Sequence, residues 1–301
     1  MRVPVPASWP RVVATVASLW LALAGGPALA APPSVASGAA AMHKAYHALP
    51  EAAGGRQRVH IESSETPNTV AGKVAGVVAE PFATVRDVLS DPGQWCDLLM
   101  LHMNNKSCRL AASGATPAIT LKITKRYDDP IDNATPVTFG FRVADASAEY
   151  LAVRLDAAEG PFWTRNHRIH VEAIPVGRAN TFLRVSYSYG FGTPTRMISD
   201  IYFATIGRDK VGFTELTQTQ GAGPQFIGGV RGLMERNTLR YFLAADAHLT
   251  EHGAPGPGLL ERRLRHWFDA TERRPRQLHE MDLDTYLALK RREYAAQAAA
   301  R

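Results

Sequence analysis

Cysteine is almost absent from the chain: Cys96 and Cys108 are the only two in 301 residues. Their spacing is not Cys-x-x-Cys, which sets aside a redox-active pair. His102 is the only imidazole close to them in sequence, so no zinc site is supported and no metal or cofactor is expected. Strong charge is missing too. The formal net charge is +6, with basic residues dispersed along the chain, and nucleic acid is not an expected partner. Catalytic signatures are lacking: there is no G-x-S-x-G elbow, no H-E-x-x-H, no phosphate-binding glycine loop and no Cys-His arrangement. His167 and His170 lie three apart on an expected strand and face opposite sides, and Asp128-Asp129 before Pro130 reads as a turn. Apart from one segment near the start, no apolar run approaches the roughly 20 residues that a membrane-spanning helix needs.

That segment begins what is present. Arg2 and Arg11 precede the apolar run 12–24, and Ala28-Leu29-Ala30 follows, the pattern of a secretory signal cleaved after residue 30. Loss of the two arginines leaves a net charge of +4, enough for no more than a weak contact with envelope surfaces. A periplasmic or secreted location is expected. In an oxidising compartment Cys96 and Cys108 are expected to form a disulfide, worth roughly 3 kcal/mol in the chain-entropy account.

Hydrophobic residues make up 46% of the sequence, which supports a substantial core. Residues 31–68, rich in Ala, Pro, Gly and Ser at their start, read as a flexible arm with a short helix over 39–49. The folded domain is expected over 69–252, beginning with a strand at 70–78 and two short helices at 82–89 and 94–101. Strands with period-two alternation follow at 106–112, 119–127, 137–143, 150–155, 164–174, 181–191 and 210–219, the pattern of an antiparallel meander. Phe139 and Phe141, Tyr187 and Tyr189, and Phe213 and Glu215 fall in the inward phases of their strands. A helix at 194–205 interrupts the meander and is read as a lid or a crossover.

The widest amphipathic stretch is 224–252. Phe226, Val230, Leu233, Asn237, Tyr241, Ala244 and His248 recur at helical spacing and define one face. Gly228, Gly229 and Gly232 near its start leave room for a ligand or admit a neighbouring strand closely. On the first reading Gly232→Leu reduces ligand binding and leaves the fold intact. Beyond Gly253, a helical extension over 253–301 ends the chain, with Asp282 or Asp284 capping its last helix.

The order of strand, two short helices, curved antiparallel sheet and long helix resembles the START-like helix-grip (SRPBCC) superfamily. The strings DPGQWCDLL at 91–99, SYSYGFG at 186–192, GRDKVGFT at 207–214 and VRGLMERNTLRYFLAADAHL at 230–249 are similar to those of exported bacterial members. The resemblance implies an α+β fold in which a sheet wraps around the long helix and encloses a cavity for a lipid or other hydrophobic small molecule. Phe139, Phe141, Tyr187, Tyr189, Phe213, Glu215, Leu233 and Asn237 are the candidate lining residues. The alternatives are a cyclase- or aromatase-like enzyme using Glu215, His167 or Tyr187, and a non-catalytic envelope interaction module with a filled interior.

Overall fold

An eight-stranded antiparallel sheet carries the structure, a computed structural model that describes residues 35–49, 59–111, 116–193, 209–216, 223–253 and 256–299. The strands are β1 (Val59–Glu65), β2 (Thr69–Val78), β3 (Asn105–Ala111), β4 (Ala118–Ile123), β5 (Thr135–Ala146), β6 (Leu151–Glu159), β7 (Arg165–Pro175) and β8 (Thr181–Gly190). Their order is β1-β2-β8-β7-β6-β5-β4-β3, so β3 to β8 run as a meander and the first hairpin adds to its end. Register shifts between Asn105 and Ser107, Val143 and Asp145, and Arg165 and Arg168 bend the sheet, because a bulged strand twists more strongly. The expected signal over 1–30 and the helix at 194–205 lie outside the described residues.

Alternation decides the two faces. On the inner face Val137, Phe139 and Phe141 of β5, Leu151, Val153 and Leu155 of β6, Ile169 and Val171 of β7, and Leu183 and Val185 of β8 share one core. Three helices pack into it. In α2 (Phe82–Ser90), Phe82, Val85, Val88 and Leu89 are buried, as their spacing requires. Asp91 then ends that helix and caps α3 (Pro92–Leu99), its carboxylate accepting from Gly93 N at 2.8 Å with Pro92 in the first turn. The third helix, α4 (Gly229–His252), lies along β1, β2 and β8.

Four expectations are corrected. The arm over 31–68 supplies β1, which was not expected, while its expected short helix is present as α1 (Val35–His47), whose Met42 packs with Tyr150, Ile174 and Phe182 on the outer face of the sheet. A strand over 210–219 does not form in the described part, 209–216; only Glu215 bridges to Phe226. The N–H groups of Phe213 and Thr214 bond instead to the Glu235 carboxylate at 2.6 and 2.9 Å. For the same reason the long helix starts at Gly229, since 225–227 run extended against 212–216.

The fourth correction concerns the helical face of α4. Arg236, Arg240 and Glu235 are as buried as Leu239 and Phe242, whereas Leu233, Asn237 and Tyr241 are only half-buried. The sheet covers one side, and α5 (Leu259–Glu272) and α6 (Pro275–Leu278) cover others, with α7 (Leu283–Ala299) packed in turn on α5 and β3, so no side is left to solvent throughout. Glu280 supplies the missing counter-charge, 3.0 Å from Arg240 and 3.8 Å from Arg236. Trp267 of α5 donates to Arg240 O at 3.0 Å and stacks on Tyr286 of α7. The extension thus belongs to the same core as the sheet. Asp282 is its cap, accepting from Thr285 N at 2.8 Å. Gln297 accepts from Cys108 N on β3, which blocks that exposed edge against pairing with another strand. Among the described residues no helix is long and apolar enough to cross a membrane.

Candidate functional site

Helices α2 and α3, the sheet and α4 meet around a void of about 20 Å³. Leu89, Trp95, Leu98 and Leu99 wall it from one side, Ile169, Val171 and Val185 from the sheet, and Tyr241 and Ala245 from α4. The lining is apolar, and the volume suits about one water molecule. Trp95 is fixed there by donation from Nε1 to Leu89 O at 2.9 Å and by an edge contact with Phe141, ring centroids 5.7 Å apart. Cys96, the next residue, forms the expected disulfide with Cys108, Cα atoms 5.3 Å apart. The wall made by α3 is therefore tied covalently to β3.

A polar group lies on the sheet next to the lining residue Ile169. Tyr187 is paired with Ile169 across β7 and β8 and follows Val185 on the inward face; its ring meets that of Tyr241 edge-on at 6.3 Å. The Tyr187 hydroxyl is 2.9 Å from His167 Nδ1, and His167 Nε2 is 2.8 Å from Thr164 Oγ1. Tyr189 stacks on the imidazole at 5.2 Å. Burial pushes the His167 pKa down to about 4 and raises that of Tyr187 well above the ordinary phenol value, so both are neutral near pH 7. Gly160 makes the arrangement possible, for a β-carbon there would sit 2.0 Å from His167 Nε2.

The other candidates are distributed differently. Phe139 and Phe141 are buried in the core, at 2% and 3% exposure. Tyr187 and Tyr189 are half-buried and touch each other, ring centroids 5.7 Å apart. Phe213 is half-buried against the main core, while Leu233 and Asn237 are half-buried on α4, Asn237 accepting from Arg240 Nη1 at 3.4 Å. Glu215 does not point inward: it is exposed, in the short stretch that bridges to Phe226 and lies outside the main sheet. Gly232 admits backbone and not a ligand, since its β-carbon would lie 2.7 Å from Ile227 O and 3.0 Å from Gly212 N.

Sequence reasoning passed over Trp95, Leu98, Leu99 and Ala245 as lining residues. The available signal was a short helix apolar on most sides, which needs partners on two layers at once.

Strand order and packing settle the architecture: a meander closed by the β2–β8 pairing, with a long helix held against its inner face. The fold is of the helix-grip type. No family model matches the sequence, and no curated protein matches it. Among solved structures, norcoclaurine synthase from Thalictrum flavum is 14% identical, covering 46% of this chain and 86% of that one with a TM-score of 0.34. A START superfamily protein from Mycobacterium smegmatis is 14% identical, covering 46% and 89% with a TM-score of 0.33. Human StAR-related lipid transfer protein 5 is 11% identical, covering 56% and 89% with a TM-score of 0.31.

Proposed function

We propose that the protein binds an apolar small molecule, of lipid type, between α2–α3, the sheet and α4, and does so in the periplasm or outside the cell after its signal is removed. The observation that carries this reading is the void itself: an apolar space at the junction of three elements, with Trp95 and Tyr241 among its walls. Apolar burial would drive binding, at about 25 cal/mol per Å² removed from water, with a few polar groups fixing orientation. A ligand larger than water requires α2 and α3 to move off α4. Because Cys96 holds α3 to β3, that movement is expected at the α2 end. The location rests on the signal-like first 30 residues and accords with the disulfide.

The small size of the void favours a second reading, an envelope interaction module with a filled interior. The enzyme reading has less support, since His167 and Tyr187 are both held neutral and Glu215 lies outside. Native mass spectrometry of the protein purified from its own cell envelope separates these. A copurifying lipid, or saturable uptake from a panel of fatty alcohols, fatty acids and sterols, supports binding. A protein that carries nothing and takes up nothing supports the interaction module.

A further inference from the structure

On the outer face of the sheet two arginines stand directly opposite each other. Arg142 of β5 pairs in register with Arg154 of β6, and His170 of β7 is next in the row. Like charges in that position repel across the ladder and cost stability. Nothing in the row offsets them. His170 is neutral near pH 7, since burial, with Arg154 and Arg184 adding to it against Glu172 and Asp156, holds its pKa below the ordinary value. Glu172 is committed to Arg184 at 2.6 Å and to the Tyr150 hydroxyl at 2.7 Å. Asp156 lies one row along, opposite Arg168. Among the described residues no carboxylate forms an ion pair with Arg142, Arg154 or Arg168, whereas Lys73 on β2 has Glu62 at 3.8 Å.

We infer that this outer face of β5 to β7 docks on an anionic lipid bilayer, the phosphates of the headgroups being the counter-charge that the fold does not supply. The inference goes beyond the ligand reading above and does not depend on it. Two observations favour a bilayer over an acidic protein. The ground beside the arginines is low: a β-carbon on Gly140 would meet only Asp156 O, at 3.9 Å, and Thr120 and Thr138 bond to each other at 2.9 Å. A charged plane can approach such a surface. Apolar anchors are missing as well, for the exposed large apolar residues Leu110, Ile131, Trp163 and Leu216 all lie off β4 to β7. A protein interface is centred on desolvated apolar side chains, whereas a headgroup layer attracts cations by charge alone over a Debye length of about 8–10 Å.

The test is cosedimentation of the full-length mature protein with vesicles of mixed phosphatidylglycerol and phosphatidylcholine, and of phosphatidylcholine alone, at low and high salt. Binding is expected only to the anionic vesicles and is expected to fall as salt rises. Arg142→Gln combined with Arg154→Gln is expected to weaken it about 25-fold, roughly fivefold for each arginine. The same loss of charge at the exposed Arg273 and Arg292 of the helical extension is expected to change it little. Equal losses from the two pairs overturn the inference, because net charge and not this face would then govern. Equal binding to both kinds of vesicle, or binding to neither, overturns it too. Retention on immobilised polyglutamate through Arg142 and Arg154 without vesicle binding overturns it in favour of an acidic protein partner. Urea unfolding of the double Gln variant checks the repulsion itself: the midpoint at low salt is expected to stay or rise, and a lowered midpoint overturns the premise.

Discussion

At Gly232 the absence of one carbon lets two backbones touch, Gly212 N being 3.0 Å from where a β-carbon would stand. The neighbouring carboxylate uses that proximity: Glu235 accepts from two N–H groups, from Thr214 Oγ1 at 2.6 Å and from Ser63 Oγ at 2.5 Å, and so ties 212–214 and β1 to α4. Gly232→Leu is therefore expected to destabilise the protein by at least about 1–3 kcal/mol through overpacking against backbone, read in urea unfolding. An unchanged midpoint with weakened ligand binding would instead restore the pocket reading of this glycine. His167 makes a second prediction. Its folded pKa of about 4 lies below the ordinary 6.5, so the unfolded chain binds the proton first as pH falls. Its contribution is full above pH 6.5 and is lost progressively toward pH 4, by at most about 3 kcal/mol. His167→Leu should flatten the fall in unfolding free energy between pH 7 and 4.5.

At the scale of elements, α7 is held by charge as much as by apolar packing. Lys106 and Lys290, 2% and 0% exposed, share Glu293 at 2.9 and 2.7 Å, and Lys290 Nζ also donates to His102 O and Asn105 O. Glu293→Gln leaves two buried ammonium groups without their counter-charge and should cost about 3–5 kcal/mol in chemical unfolding. A loss under 1 kcal/mol would mean that water reaches these lysines. The same elements show which features were legible in the sequence. Short helices with clean spacing, α2 and α3, were readable because Pro81 and Asp91-Pro92 bound them. The face of α4 was not, because Arg236 and Arg240 look like solvent residues until Glu280, some 40 positions later, reaches them. The strand expected over 210–219 did not join the sheet for a similar reason: the amides of Phe213 and Thr214 are taken by Glu235, distant in sequence, while those of Gly212 and Leu216 bond to 225–227.

For the whole molecule, strand alternation was enough to place the inner face, since one side of an antiparallel sheet must bury its apolar residues. It singled out Phe139, Phe141, Tyr187 and Tyr189 as inward, and it placed His167 and His170 on opposite faces. The closeness of the packing was not legible, because a 20 Å³ void and a filled core differ by rotamers and by which helix rests on which layer. The central claim is that apolar ligands occupy the junction of α2–α3, the sheet and α4. Photolabelling with a diazirine-bearing fatty alcohol, followed by peptide mass spectrometry, tests it most directly. The account expects saturable adducts on peptides carrying Trp95, Leu99, Val171, Tyr241 and Ala245. Labelling confined to exposed apolar residues such as Leu110 and Trp163, with no saturation, would contradict it.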